Sequence, residues 1–393
     1  MYYYKTTKMI SKSIDRLEEL KRRLDYRGPL PRIWLGRTRR ELEAEAVAAS
    51  TSMEGVSVTV DEVRRILAGD RPASVAPQDV AFVEGYRDVM KFVLSRADDL
   101  GFAWQSELIL GIHYRVMAED YSMGAGRYRQ TQNRLVDVVG RREVFLPPPS
   151  GQVPALIADL ADWAQGQAET AAPAVAALVH CRLAGIHPFS DGNGRTARIL
   201  ASLAMYRGGY RAPEFTSLEE WWGRHLSDYY KAFECLGSEW ADDVDVTPFV
   251  EAHVQAQMKQ VEALSLRQAT ERVLWLALED VARQVAGGDG RMAHALYDAF
   301  MGREVTNRFY RSLADVSTAT AVNDLARLET SGLLAAQGAG RSRRYVAGKL
   351  LGVQIAGSAG VASAPDPQAP VKSQRDALLV ALAERTKAGD AGL

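Results

Sequence analysis

The sequence predicts a mostly helical protein interrupted by one short β-hairpin. Apolar residues recur at spacings of three and four in stretch after stretch, as Ile14, Leu17, Leu20 and Leu24 do between residues 11 and 25. Crowding of β-branched residues is confined to one region, between Gly126 and Val144. Gly and Pro clusters fall between the stripes, where they end elements. At 393 residues the chain exceeds a single hydrophobic core, which favours two or three domains. A composition of 47% hydrophobic and 25% charged residues belongs to a globular protein and excludes a disordered or fibrous one.

The amphipathic stretch 11–25 ends at Gly28-Pro29-Leu30-Pro31, and a second helix pattern runs from about Arg37 through Glu54, with Gly55 placed to stop it. Further apolar stripes follow at 79–95, 103–118, 152–167, 171–186, 194–207, 218–235 and 247–284. In the exceptional region Leu135, Val136, Val138, Val139, Val144 and Phe145 flank Gly140, and Pro147-Pro148-Pro149 cannot continue a ladder. After residue 284 the texture changes. Gly287, Gly288 and Gly290 mark a boundary, a compact segment runs to about Lys349, and the Ala/Gly/Ser/Pro-rich stretch 356–371 is expected to be a flexible linker. A last helix pattern, Asp376 to Lys387, is suited to capping the fold or pairing with a partner.

A formal net charge of −1 excludes a whole-molecule field that would draw the chain to nucleic acid or to anionic membranes, so any basic patch must be local. Cys181 and Cys235 show neither paired zinc spacing nor the density of a disulfide scaffold, and a reducing cytoplasm fits them best. No run is long and apolar enough to span a bilayer and the first residues lack an apolar leader, so no membrane partner is expected.

The chemistry concentrates in His187-Pro188-Phe189-Ser190-Asp191-Gly192-Asn193-Gly194-Arg195, between two helix patterns. Pro188 stops the first helix, and Gly192 and Gly194 permit backbone angles that a side chain forbids. Amides around Gly192, Asn193 and Gly194 can then converge at the start of the next helix, a nest that binds phosphate. Arg195 and Arg198 project from one face of that helix and can clamp two phosphates. Asp191 beside a polyphosphate site suits Mg²⁺, although the same residue could cap the helix. His187 has the ordinary pKa of a general base at neutral pH.

This run resembles the signature of the Fic family at every fixed position: His-Pro-Phe, an acid, Gly-Asn-Gly-Arg and a second Arg. Gly126-Arg127-Tyr128-Arg129 with its hairpin is similar to the family's target-binding flap, and Asp228-Tyr229-Tyr230 and Thr247-Pro248-Phe249 resemble downstream segments. The similarity covers roughly residues 35 to 260. It implies an all-α Fic-type core with a small β-hairpin flap, acting as a protein adenylyltransferase. In that reaction a Ser, Thr or Tyr hydroxyl of a target protein, or of the chain itself, attacks the α-phosphate of ATP. The resemblance assigns the hydroxyl proton to His187, Mg²⁺ to Asp191, and charge on the transferred group to Asn193 and the amides of Gly192 and Gly194. It gives the β/γ end of ATP to Arg195 and Arg198, and an adenine contact to Tyr229. The target would lie along the 127–145 flap as an added strand.

Ser50-Thr51-Ser52-Met53-Glu54-Gly55 resembles the family's inhibitory motif. On a helix Ser50 and Glu54 share a face. The resemblance implies that Glu54 pairs with Arg198 and blocks the γ-phosphate position, as in the subclass inhibited by its own N-terminal part. Some members use the same Glu to remove AMP, and others move a different phosphate-containing group, so both stay as alternatives.

Toward the C-terminus, the order of a helix at 318–331, Gly332-Leu333-Leu334 and a second hairpin through Tyr345-Val346 resembles a winged helix-turn-helix. Arg341, Arg343 and Arg344 would stand on its wing. Residues 301–349 hold eight Lys/Arg against four Asp/Glu, which permits phosphate contact, while winged helices also dock proteins. A DNA-binding regulator with a nucleotide-sensing core is therefore the reading from another class. The expected domains are 1–100 (N-terminal helical region), 101–260 (catalytic core), 261–350 (winged helix) and 351–393 (linker and helix); the sequence leaves a homodimer open.

Overall fold

A computed structural model describes residues 2–25, 32–118, 120–136, 143–212, 218–361, 366 and 369–390. The chain divides into two compact units, Met1–Ala263 and Leu264–Leu393. Unit 1 takes in both the 1–100 and the 101–260 regions expected as separate, and unit 2 takes in the remainder. The fold class is all-α with short hairpins.

Unit 1 is built from α1 (Lys8–Asp25), α2 (Arg32–Met53), α3 (Val60–Leu67), α4 (Pro77–Ala97), α5 (Ser106–Val116), α6 (Val153–Gln165), α7 (Ala172–Ile186), α8 (Asn193–Arg207), α9 (Leu218–Arg224), α10 (Leu226–Ala232) and the first part of α11 (Thr247–Gln284). At its centre, α7 is buried along nearly its whole length, and its first half, Ala-Pro-Ala-Val-Ala-Ala-Leu-Val, is apolar all round, as suits a helix with no solvent side. It packs most extensively on α8, and α4, α5 and α6 complete the surrounding layer. One continuous core joins Leu17 and Leu20 of α1, Val83 of α4, Ile112 of α5, Ile157 of α6 and Leu183 of α7. Tyr2 is buried against Trp240, and Trp222 is buried within α9.

Helix α2 ends where Gly55, at φ +82°, reverses the chain, and α3 opens on a capping box between Thr59 and Glu62. The expected stop at Gly28 to Pro31 lies outside the described residues, as does Gly140 of the hairpin. The hairpin itself pairs β1 (Leu135–Val136) with β2 (Glu143–Phe145) in antiparallel register, Leu135 opposite Phe145.

Unit 2 contains α12 (Ala293–Phe300), α13 (Asn307–Ala314), α14 (Thr318–Thr330), the hairpin β3 (Leu334–Gln337) and β4 (Arg344–Ala347), α15 (Leu351–Ser358) and α16 (Val371–Asp390). Val305, between α12 and α13, bridges to Tyr345 of β4. The expected flexible linker is corrected at its start: 356–358 belong to α15, whose Ile355 and Ala356 are fully buried, so small apolar residues here fill a core. Residues 362–365 and 367–368 of that stretch lie outside the described ones.

Candidate active site

The site begins where α7 ends. His187 is the C-cap residue and adopts the left-handed conformation, φ 50°, a position that ordinarily selects Gly. A histidine held there costs on the order of 1–3 kcal/mol, and strain of this kind gathers at functional sites. Its Nδ1 lies 3.4 Å from the Ala184 carbonyl. A carbonyl can only accept, so Nδ1 carries the proton and Nε2 keeps its lone pair. Burial pulls the imidazole pKa down to about 4, with nearby Arg129 adding to the effect and the Ala184 bond opposing it. At neutral pH the ring is uncharged and able to take a proton.

The loop after His187 is held through its own carbonyls. Buried Arg129 donates from Nε to the His187 carbonyl at 2.9 Å and from Nη1 to that of Thr131 at 3.0 Å, and Nη2 bonds the Pro148 carbonyl. The Arg129 amide reaches the Pro188 carbonyl at 2.9 Å. Asn133 Nδ2 donates to the Phe189 carbonyl at 2.9 Å. These acceptors are thereby committed to the flap side, which leaves the start of α8 to present N–H groups, as the first turn of any helix does. Gly126 to Arg129 open the segment that, with its hairpin, resembles a target-binding flap. Within it Arg129 is an internal clamp, only 2% exposed, because its guanidinium needs the loop carbonyls as partners.

Gly192 caps α8 at φ +72°, and a Cβ there would meet Met117 Sδ at 2.8 Å. Only glycine fits. Asn193, expected to act on the transferred group, has its side chain turned inward. The Phe189 amide donates to Oδ1 and Nδ2 donates to the Phe189 carbonyl, both at 2.9 Å. The side chain thus staples the loop, and Phe189, wholly buried, anchors it.

On α8, Arg195 is buried, with Nη1 donating to the Val116 carbonyl at 3.1 Å, Nη2 3.3 Å from Asp191 Oδ2, and its carbon over the Phe82 ring. Asp191 keeps half of its side-chain surface exposed. Arg198 Nη2 donates to Glu54 Oε1 at 2.7 Å and to Ser50 Oγ at 3.3 Å. Glu54 also approaches Arg195, at 3.9 Å. A Cβ on Gly194 would lie 3.3 Å from Glu54 Oε1 and 3.1 Å from Arg198 Nη1, so the pair sits against the first turn of α8. Burial works against the Arg198 charge, but the Glu54 carboxylate, with lesser contributions from Tyr229 and Glu219, offsets this and raises its pKa. Behind Arg198, the hydroxyl of buried Tyr86 donates to Glu219 Oε1 at 2.8 Å; burial pushes the Glu219 carboxyl up and Arg198 opposes it. Nothing in the sequence pointed to Tyr86 or Glu219.

Tyr229 packs with Leu218, Trp222 and Ala256, its hydroxyl 3.2 Å from His180 Nε2. It lies behind Arg198 and is 6% exposed, whereas Tyr230 is 61% exposed. Among the described residues no group of three or more His, Cys, Asp or Glu could hold a metal by itself.

The loop, the start of α8 and the two arginines thus follow His187 along a single turn of a mostly helical scaffold. The chain carries a Fic domain: residues 103–205 match the Fic/DOC family profile. The protein adenylyltransferase Fic of Nematostella vectensis is 26% identical over 264 residues, covering 66% of this chain and 57% of that protein. The protein adenylyltransferase fic-1 of Caenorhabditis briggsae is 38% identical over 104 residues, 26% of this chain and 19% of the relative. This chain therefore spans little more than half the length of the first relative and about a fifth of the second. A solved Fic family protein from Desulfovibrio desulfuricans G20 superposes with a TM-score of 0.57 at 22% identity, covering 88% of this chain and 98% of that one, and establishes the fold.

Proposed function

We propose that the chain is a protein adenylyltransferase that moves AMP from ATP to a Ser, Thr or Tyr hydroxyl of a target protein or of itself. The observation that carries this reading is the single turn between α7 and α8, which sets a neutral His187 beside the amide-lined start of α8. His187 Nε2 would accept the hydroxyl proton as the oxygen attacks the α-phosphate and pyrophosphate departs. The α8 amides and Arg195 would take charge from the phosphates, and Arg198 the γ end. Such transfer needs alignment and neutralisation more than covalent help from the protein.

Asp191 suits Mg²⁺: it offers one half-exposed carboxylate next to the anion site, and the nucleotide's own oxygens would complete the shell. The metal would supply charge neutralisation between phosphates. The target is proposed to lie along the 127–145 flap. Free Cys181 and Cys235 support a reducing cytoplasm.

Glu54 occupies the guanidinium meant for the γ-phosphate, so we read the pair as autoinhibitory. Self-labelling with radiolabelled ATP should rise on the order of ten- to hundredfold in Glu54→Gly, the range of a typical coupling between two sites. Equal rates in the parent and the variant would refute inhibition.

A further inference from the structure

His113 lies on α5, outside the motif, and every polar atom of its ring is committed to the site. Its Nε2 is 3.0 Å from the Asp191 carbonyl of the loop, and its Nδ1 accepts from the Gly126 amide at the flap base, also at 3.0 Å. The two partners fix the tautomer. An N–H aimed at Nδ1 requires a lone pair there, and a carbonyl facing Nε2 requires a proton there. The ring stacks flat on Phe189, centroids 3.6 Å apart at 1°, and is wholly buried. The backbone around the ring is tightly packed: a Cβ on Gly192, the residue after Asp191, would come within 3.3 Å of Nε2, and one on Gly126 within 3.2 Å of Tyr114.

We propose that His113 is a positioning residue that couples the flap to the catalytic loop, holding the peptide of Asp191 and the first residue of the flap at one fixed distance. The proposal rests on the adenylyl-transfer reading for its consequence, though not for its geometry. Through Nε2 the ring sets where Asp191 stands relative to the α8 amides, which bears on ATP. Through Nδ1 it sets where the flap begins, which bears on the hydroxyl to be modified. A ring fixed in one tautomer by two backbone groups can hold both at once, and no other side chain reproduces both bonds.

Two conservative substitutions separate the halves. An asparagine amide sits where Nδ1 was and can still accept from Gly126, whereas a glutamine amide reaches the Nε2 position and can still donate to Asp191. In the full chain, amide hydrogen exchange should show Gly126 protected in wild type and His113→Asn but exposed in His113→Gln. Selective ¹⁵N-histidine spectra should show the signature of a lone Nε2–H for the resonance lost in both variants. Combined with Glu54→Gly, His113→Asn should raise the apparent KM for Mg·ATP in self-labelling. His113→Gln should keep that KM and lower the maximal rate, each by roughly ten- to hundredfold, the scale on which small misplacements act. A Gly126 amide indifferent to His113→Gln, or an Nδ1–H tautomer, would overturn the coupling. So would equal losses in both variants that track only their melting temperatures. If Glu54→Gly labels nothing while the exchange pattern holds, the adenylyl reading fails and the coupling stands.

Discussion

Two arginine-bearing turns invite comparison, the α7–α8 loop of unit 1 and the β3–β4 hairpin of unit 2. Arg198 retains 4% of its side-chain surface and meets Glu54, a residue 144 positions away. Arg343 and Arg344 retain 46% and 50% and pair with Glu329 and Glu304 of their own unit at 2.5 and 2.9 Å. In the buried case the guanidinium must have an anion, because an uncompensated charge out of water is costly, so Glu54 can leave only when something equally negative arrives. In the exposed case water stands in for the partner and the pair is held loosely. Thus the first turn can act as an exchange of one anion for another, while the second is a solvated surface whose local charge surplus is already partly spent. On α14 the exposed positions Thr318, Ala319, Val322, Asn323, Ala326 and Thr330 are uncharged, and the exposed Arg327 is held by the Gly287 carbonyl at 2.6 Å, so we propose protein docking over DNA contact for this unit.

Breaking each pair measures that difference. Arg198→Ala should destabilise unit 1 by roughly 3–5 kcal/mol in urea unfolding, the cost of removing one partner from a buried ion pair. A loss below about 1 kcal/mol would place Arg198 with the surface cases. Burial also dictates pH response. Both ring nitrogens of buried His253 lack a hydrogen-bond partner among the described residues, and burial pulls its pKa from 6.5 down to about 3. Below pH 6.5 the unfolded chain takes up a proton that the folded chain refuses, so stability must fall as pH drops toward 3. His253→Phe should remove about 2 kcal/mol of the loss between pH 7 and pH 5, seen as a flatter melting profile. An unchanged slope would mean the ring reaches water. The smallest effect belongs to the wing: Arg343→Ala and Arg344→Ala should each cost under about 1 kcal/mol. A gel shift with the full chain should show no retention of duplex DNA, and strong, salt-sensitive retention lost in these variants would restore the DNA-binding reading.

The same contrast explains what could be read in advance. Gly192 and Gly194 are demanded by backbone angle and close approach, so their identity carries their role into the sequence. The long helices announce themselves by period, and the all-α class with one flap follows from them. α3, only eight residues long, is too short for that signal, though Thr59 and Glu62 formed a readable capping box. Arg129, Asn133 and His113 escaped because their partners lie 58, 56 and 78 positions away, a separation that no local pattern encodes. The inward turn of Asn193 was hidden for a related reason, since a motif tells which residue stands at a position and not which way it faces. The Ala/Gly/Ser/Pro composition of 356–371 suggested a linker, whereas burial of Ile355 and Ala356 draws its first residues, 356–358, into a helix.

The central claim is that the α7–α8 turn transfers an adenylyl group with His187 as base. Intact mass spectra of Glu54→Gly after incubation with ATP and Mg²⁺ should show one or more added AMP groups, and the same spectra of Glu54→Gly with His187→Ala should show a loss on the order of 10²–10⁴ in rate. An added phosphate in place of AMP, or AMP addition that persists at full rate without His187, would contradict the account.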